Sequence, residues 1–122
     1  MILGTGIDII DVERVGRAAA KAGFLAKVFT EAERERFARF NNDPAHIAGA
    51  FAAKEAVSKA LGTGIGAVEW KNIEILHHQS GQPYVVLSGK AKRRMEEIGG
   101  KHMHISVSHI KETAVAQAIL EG

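Results

Sequence analysis

The sequence predicts an α+β fold in which a small antiparallel sheet packs against helices. A β-branched stretch at residues 2–10 predicts a buried strand, helical patterns follow as far as residue 61, and alternating apolar segments dominate the second half. With 122 residues, 46% of them apolar, we expect a single domain, residues 1–122, with an ordinary apolar core. The lack of cysteine excludes a disulfide scaffold, a zinc ribbon and a cysteine nucleophile.

The charge balance is weakly basic, with 16 Lys and Arg against 14 Asp and Glu and a formal net charge of +2. That charge is too small to indicate nucleic-acid binding, and aromatic residues, at 6%, offer no stacking platform for bases. No apolar run is long enough to span a membrane, and no basic segment precedes the apolar start. We therefore expect a cytoplasmic protein with neither a nucleic-acid partner nor a membrane partner.

Asp8 interrupts the first predicted strand. Because side chains alternate along a strand, Asp8 lies on the same face as Gly4 and Gly6, where another segment could approach the backbone closely. An unpaired buried carboxylate costs several kcal/mol, so Asp8 needs a cation or hydrogen-bond donors. The strand alone leaves two alternatives, a structural salt bridge and a functional carboxylate.

A basic face marks the first helical pattern, residues 12–27. Arg14, Arg17 and Lys21 are spaced to lie on one side of a helix, and no acidic residue occurs between Arg14 and the end of the pattern. Small apolar residues occupy the other positions and can cover a core.

Two capping patterns begin the next helices. Thr30 and Glu33 have the spacing of a capping box, and Asp43 precedes a proline at the first helical position. The helices that they predict span about residues 31–40 and 44–61, and a glycine-rich loop, residues 62–66, follows the second.

The second half is predicted to be rich in strands. Segments 72–77 and 84–87 flank a Ser-Gly-Gln-Pro turn and favour a hairpin. A basic helix at residues 89–98 is followed by a strictly alternating strand at 102–109 and by a last strand at 113–120.

Glu55 and Lys59 lie one helical turn apart in the long helix. Considered alone, they are typical of a solvated surface ion pair, which contributes a few tenths of a kcal/mol. The functional alternative is a carboxylate for a hard metal ion and an ammonium group for a phosphate oxygen. Mg²⁺ usually binds one or two carboxylates together with substrate phosphates, and Asp8 and Glu55 could supply them.

Three other motifs are less informative. The 62–66 loop lacks the Lys-Ser/Thr of a Walker A motif, so a flexible helix end is the simpler interpretation, with close approach to a ligand as the alternative. His102 and His104 share a strand face but have no third zinc ligand at a recognisable spacing. Ser108 and His109 point to opposite faces of a regular strand, which disfavours serine hydrolysis.

Five segments together resemble the holo-(acyl-carrier-protein) synthases, the small bacterial 4′-phosphopantetheinyl transferases. The match runs from residue 2 to about residue 120, and its specific part is the Lys-Glu-Ala-x-x-Lys helix at this distance from the N-terminal aspartate. The segments are Gly-Ile-Asp at 6–8, Phe-Ala-Ala-Lys-Glu-Ala-Val-Ser-Lys-Ala at 51–60, Gly-Thr-Gly-Ile at 62–65, Gly-Gln-Pro at 81–83 and Ser-Val-Ser-His at 106–109.

The resemblance implies a 4′-phosphopantetheinyl transferase-like fold and a homotrimer with its active site at the subunit interface. It also implies Mg²⁺-dependent transfer of the 4′-phosphopantetheine group of coenzyme A to a serine of apo acyl carrier protein, with release of adenosine 3′,5′-bisphosphate, for fatty acid biosynthesis. Phosphoryl transfer needs positioning and charge neutralisation more than covalent protein chemistry. Because the carrier serine attacks, the enzyme needs no nucleophile, and the serine proton would go to Glu55 or to a metal-bound water.

The resemblance also assigns roles to residues of this chain. It implies that Asp8 and Glu55 hold Mg²⁺ and that Lys59 neutralises charge on the transferred phosphoryl group, which makes these three the expected catalytic residues. The implied coenzyme A contacts, with His109 near the adenosine phosphates, are Lys59, Gly62, Thr63, Gly64, Ser108 and His109. The implied docking residues for an acidic carrier protein are Arg14, Arg17 and Lys21.

One position departs from the family pattern. Relatives usually have arginine before the aromatic residue of the Lys-Glu-Ala helix, whereas this chain has Ala50. The absence of this arginine would weaken a phosphate or subunit contact. Lys54, one helical turn further along, could compensate for it. Ala50 therefore leaves open a relative that binds coenzyme A or carrier protein without transfer. A non-catalytic basic module for nucleic acid is a separate alternative, and the low aromatic content argues against it.

Overall fold

The structure, a computed structural model, describes residues 1–122 and contains five strands and five α-helices. The helices are α1 (Val12–Ala19), α2 (Phe24–Val28), α3 (Glu31–Arg39), α4 (Pro44–Ala60) and α5 (Gly89–Glu97). The strands are β1 (Ile2–Asp11), β2 (Ile73–His77), β3 (Pro83–Leu87), β4 (His102–His109) and β5 (Thr113–Glu121). None of the helices has the length and apolar character needed to cross a bilayer.

The α+β class is confirmed, but the strands form two antiparallel sheets where the sequence predicted one. Strands β1, β5 and β4 make a three-stranded sheet in that order, and β2 and β3 make a separate hairpin. Since β5 lies in the middle, the N-terminal strand pairs with the C-terminal one, and Asp8 lies opposite Ala116. Apart from the first helix, the predicted elements agree with the observed bounds to within one residue.

Helix α4 lies directly against β1 because β1 has glycines where the two elements meet. A Cβ atom at Gly6 would collide with the backbone oxygen of Ala56, and one at Gly4 with that of Ala60. Both alanines are almost fully buried, so the helix also presents only methyl groups here. The close approach predicted at Gly4 and Gly6 is confirmed, and the approaching segment is α4.

We expect Gly6→Ala to lower the free energy of unfolding by about 1 to 3 kcal/mol, because the added methyl group must push α4 away from β1. Chemical denaturation measures this change. Thr5→Ala, on the other face of the same strand, is the matched control and should cost much less. An unchanged denaturation midpoint for Gly6→Ala would contradict the close packing of α4 on β1.

The first helical segment is interrupted, so the single helix predicted for residues 12–27 is wrong. Helix α1 ends at Ala19, and Gly23 has a left-handed backbone (φ 87°) before α2 begins. A glycine with positive φ is typical of a helix boundary, because other residues are strained there. Lys21 consequently lies in the turn after α1 and does not extend the helix face that carries Arg14.

The outer face of the three-stranded sheet is open and apolar. Ile7 and Ile9 are 63% and 72% exposed, whereas the sequence predicted a buried strand. Their partners on β5, also on the outer face, are Gln117 and Val115. Only the inner face of β1 meets α4, so the apolar outer face would be covered only by another molecule.

A buried ion pair links α3 to α4. Thr30 and Glu33 form the predicted capping box, which is confirmed. Glu33 Oε1 also accepts a hydrogen bond from Lys54 Nζ at 2.9 Å. The Lys54 and Glu33 side chains are 0% and 1% exposed, and Lys54 donates further hydrogen bonds to the backbone oxygens of Trp70 and Ile73. The pair therefore connects both helices to the segment that enters β2.

Candidate active site

Asp8 lies on the inner face of β1, beside the glycines on which α4 packs. Its side chain is 17% exposed and borders an open cleft of about 460 Å³. Residues of β1, α1, α2 and α4 form the walls, among them Arg14, Phe24, Phe51 and Glu55. The cleft therefore brings together two predicted metal ligands from distant parts of the chain.

Lys59 reaches β1 from the last turn of α4. Its Nζ donates a hydrogen bond to the Ile7 backbone oxygen at 2.9 Å and lies 3.5 Å from Asp8 Oδ1. The ion pair thus joins Lys59 to Asp8, and not to Glu55 as the helical spacing suggested. Because the Lys59 side chain is 51% exposed, its ammonium group is accessible to an anion.

Glu55 lines the same cleft but belongs to none of the ion pairs of the protein. Burial raises the pKa of Glu55, the Asp8 carboxylate raises it further, and Lys59 acts in the opposite direction. A divalent cation stabilises such a pair, because it supplies the positive charge that a partly buried carboxylate beside another one lacks. The residues present therefore fit a Mg²⁺ ion.

The glycine-rich loop begins where α4 ends. Gly62 and Gly64 have φ angles of 76° and 67°, and the backbone N–H groups of Thr63 and Gly64 both donate to the Ser58 carbonyl. These bonds fold the loop back onto the last turn of α4, which also carries Lys59. The loop is a helix cap, and its predicted coenzyme A contacts lie at the same end of α4 as Lys59.

Ser108 and His109 end the edge strand β4 and point to opposite faces, as predicted. Ser108 lies opposite Val115 on the outer face of the sheet. His109 lines a pocket on the inner side, where its ring centroid is 5.8 Å from that of His46. The two residues therefore cannot act as a serine–histidine dyad.

Helix α4 separates the predicted site residues into two groups. Glu55 lines the cleft that contains Asp8, whereas Ala50 lines the pocket that contains His109. Five residues along an α-helix turn the side-chain direction by about 140°. Within one chain, Asp8 and His109 are therefore not brought together.

The predicted basic face is only partly present. Arg14 and Arg17 are exposed on α1, and Arg14 also borders the Asp8 cleft. Arg17 pairs with Glu13 at 2.8 Å, an acidic neighbour just before the segment that lacks anions. Together with the position of Lys21 beyond the helix end, this leaves Arg14 as the one residue of the predicted basic face that borders the cleft.

The pocket beside Ala50, of about 180 Å³, is open where relatives usually have arginine. Lys54 does not compensate, because its side chain is fully buried and bound to Glu33. The expectation that Lys54 could replace the missing guanidinium is therefore wrong, and its role in this chain is structural.

Sequence analysis missed the residues that surround this pocket, Arg36, His46 and His77. His46 precedes Ala50 by one helical turn, so the spacing alone could have placed the two side by side. Arg36 belongs to α3 and His77 to β2, and no spacing rule connects residues of separate elements.

Comparison with known proteins shows the family. A family model described as the 4′-phosphopantetheinyl transferase superfamily matches residues 4–118. Since the match covers nearly the whole chain, the chain belongs to this superfamily. The resemblance predicted from the sequence is confirmed.

Individual relatives are holo-(acyl-carrier-protein) synthases. One from Alkaliphilus oremlandii is 50% identical over 120 residues, which cover 98% of each protein. The crystal structure of the Neisseria meningitidis enzyme matches with a TM-score of 0.89 and 35% identity over 100% of both chains. A Bacillus anthracis enzyme, whose structure is in complex with CoA (3′,5′-ADP), matches with a TM-score of 0.83 and 39% identity, covering 98% of this chain and 96% of that chain.

Proposed function

We propose that this chain catalyses the reaction of a holo-(acyl-carrier-protein) synthase. It transfers the 4′-phosphopantetheine group of coenzyme A to a serine of apo acyl carrier protein and releases adenosine 3′,5′-bisphosphate, in the cytoplasm and for fatty acid biosynthesis. The observation that carries the proposal is the cleft lined by Asp8 and Glu55, with Lys59 paired to Asp8 at 3.5 Å, in a chain of this superfamily. A divalent ion and an ammonium group in one cleft match the negative charge of a pyrophosphate.

The chain contributes positioning and charge to the transfer. Mg²⁺, when bound to Asp8 and Glu55, neutralises charge on the pyrophosphate of coenzyme A. Lys59, held against β1 by its hydrogen bond to Ile7, directs its ammonium group to the transferred phosphoryl group. The carrier serine oxygen forms the new P–O bond as the bond from phosphorus to adenosine bisphosphate breaks. The serine proton would go to Glu55 or to a water bound to the metal.

Two further groups of residues extend the site along coenzyme A. The backbone of Gly62, Thr63 and Gly64 lies at the same end of α4 as Lys59 and would contact the part of the ligand beyond the pyrophosphate. His109 would contact the adenosine end, and Ser108, whose side chain lies on the opposite face of β4, would contribute there through its backbone.

We also propose a homotrimer in which each site is formed by two copies. Asp8 and His109 lie on opposite sides of α4, so a single coenzyme A that contacts both would bridge two chains. The exposed apolar face with Ile7 and Ile9 supports this proposal, since a second sheet could cover it.

Complementation between variants tests the shared site. Asp8→Ala and His109→Ala chains should each be nearly inactive, whereas trimers assembled from equal amounts should recover about one-quarter of the wild-type rate, since one site in four combines two intact halves. The two variants must be co-expressed in one cell, so that trimers containing both can assemble. Recovery no greater than the average of the two separate variants would contradict a site formed between copies.

Arg14→Glu should weaken productive binding of acyl carrier protein, raising the KM for the carrier by about tenfold at low salt, because attraction between opposite charges speeds encounter. The difference should shrink as salt screens the charges. Lys101→Glu, which reverses an exposed cation in the turn before β4, is the matched control. An equal effect of both substitutions would argue against docking at α1.

Product analysis tests the proposed reaction and separates it from simple hydrolysis of coenzyme A. Adenosine 3′,5′-bisphosphate, measured by chromatography, should form only when coenzyme A, Mg²⁺ and apo acyl carrier protein are all present. Its amount should equal that of the modified carrier. Release of adenosine 3′,5′-bisphosphate without carrier would indicate a hydrolase, and binding of coenzyme A without any product would indicate an inactive relative.

A further inference from the structure

The pocket beside Ala50 is lined by imidazole rings from three separate elements. His46 comes from the first turns of α4, His77 from the end of β2 and His109 from the end of β4, and Arg36 on α3 adds a guanidinium. Ala50 itself contributes only a methyl group. The pocket is thus a cavity with one permanent cation and three groups that can become cations.

The only carboxylate that lines the pocket is Glu33, and its charge is already neutralised. Glu33 Oε1 accepts hydrogen bonds from Lys54 Nζ at 2.9 Å and from the Thr30 backbone at 2.8 Å. Its Oε2 accepts from the Ile75 backbone N–H at 2.9 Å. Because both oxygens are occupied, Glu33 does not offset the positive charge of Arg36 in the pocket.

The Phe40 ring holds two of the polar groups in place. The His46 ring stacks on it with a centroid separation of 4.3 Å, and the Arg36 guanidinium lies 4.9 Å from its centroid. Such contacts favour fixed orientations of planar cations and imidazoles. Arg36 and His46 are therefore oriented by Phe40 before any ligand enters.

His46 and His77 are held in their neutral form without a ligand. Burial, together with Arg36 and His46, lowers the pKa of His77 to about 4, and His77 Nδ1 is a buried atom with no hydrogen-bond partner. Burial lowers the pKa of His46 as well, with His109 and Arg36 adding to the effect and Asp43 at the start of α4 opposing it.

We propose that Arg36, His46, His77 and His109 form an anion site that takes up protons when a phosphate group binds. The inference rests on the proposed function, since the phosphate group would be one at the adenosine end of coenzyme A. A bound anion would satisfy His77 Nδ1 and stabilise the charged imidazoles, so its affinity rises as the pH falls. An arginine at position 50 would carry its charge at every pH, whereas this cluster makes binding pH-dependent.

Histidine NMR titrations with adenosine 3′,5′-bisphosphate test the proposal directly. The titration midpoints of His46 and His77 should move upward by about one pH unit or more when the ligand is bound, as for a group beside an opposite charge. His102 and His104, on the outer face of β4, are internal controls whose midpoints should not move. Adenosine without phosphate should cause no shift. Unmoved midpoints at His46 and His77, equal shifts in all rings, or the same shift with adenosine would each overturn the proposal.

A gain-of-charge variant gives an independent test. The affinity of wild-type protein for adenosine 3′,5′-bisphosphate should increase about tenfold between about pH 7 and about pH 5, where the lowered pKa values of His46 and His77 place their protonation, whereas Ala50→Arg should bind more tightly at the higher pH and lose most of that dependence. His102→Gln is the control and should keep the wild-type profile. An Ala50→Arg protein that melts normally yet keeps the full pH dependence would contradict the proposal.

These measurements need neither carrier protein nor Mg²⁺, so their failure is distinguishable from failure of the proposed function. Transfer activity without any proton uptake on binding of adenosine 3′,5′-bisphosphate would contradict the anion site and support the transferase function. Proton-linked binding without transfer would support the anion site and contradict the transferase function.

Discussion

Asp8→Ala is expected to reduce phosphopantetheine transfer by about 100-fold to 1,000-fold while the protein stays folded. Asp8 and Glu55 are the two carboxylates of the cleft, and the removal of one leaves too few charged ligands for Mg²⁺. The stability cost should be small, because the salt bridge between Asp8 and the half-exposed Lys59 is solvated. A quantitative transfer assay over a range of Mg²⁺ concentrations, with a thermal melt on the same sample, separates the two effects.

Glu55→Gln should give a loss of similar size. Glu35→Gln, which removes an exposed carboxylate of α3, is the matched control and should retain wild-type activity. Full activity of the Asp8→Ala protein, at any Mg²⁺ concentration, would show that the cleft does not hold the metal.

Lys54→Met should lower the free energy of unfolding by about 3 to 5 kcal/mol, which is the largest stability change that we predict. The substitution leaves the Glu33 carboxylate, 1% exposed, without its cation in the interior. It also removes the donor to the Trp70 and Ile73 backbone oxygens, which then lose buried hydrogen bonds. Urea denaturation measures the change.

Lys59→Met is the matched control, because it makes the same change on the same helix at a side chain that is 51% exposed. It should change stability by less than about 1 kcal/mol but should strongly impair transfer. Equal destabilisation by both substitutions would contradict the structural role of the Lys54–Glu33 pair.

Local patterns explain why most elements could be predicted. The capping box at Thr30 and Glu33 and the alternation along β4 involve neighbours in sequence, so their spacing contains the structural information. The break between α1 and α2 also had a local signal in Gly23. That signal competes with Arg14, Arg17 and Lys21, whose spacing predicts a continuous helix face although Lys21 lies beyond the end of α1.

Long-range packing explains what the sequence could not show. The partner of Lys54 lies on another helix, so neither its burial nor its structural role follows from the Lys-Glu-Ala pattern. The ion pair of Lys59 likewise depends on how closely α4 approaches β1. Gly4 and Gly6 indicated that another segment packs closely on β1, but they did not identify that segment as α4.

The candidate site likewise combines residues that could be predicted from the sequence with residues that could not. The carboxylates and the lysine were found from their chemistry and assigned roles from the family resemblance, which also gave His109, whereas Arg36, His46 and His77 of the anion pocket were missed. Those three residues come from α3, α4 and β2, and they meet only after the hairpin has packed beside α3 and α4. Physical reasoning on the sequence alone reaches a metal–phosphate site and stops before the substrate.

Intact-mass spectrometry of apo acyl carrier protein tests the central claim most directly. The carrier is incubated with this protein, coenzyme A and Mg²⁺, and a parallel sample contains EDTA in excess over the metal. We expect a mass increase of one phosphopantetheine group on the carrier, abolished by EDTA and restored by added Mg²⁺. An unmodified carrier in the presence of folded protein, coenzyme A and Mg²⁺ would contradict the central claim.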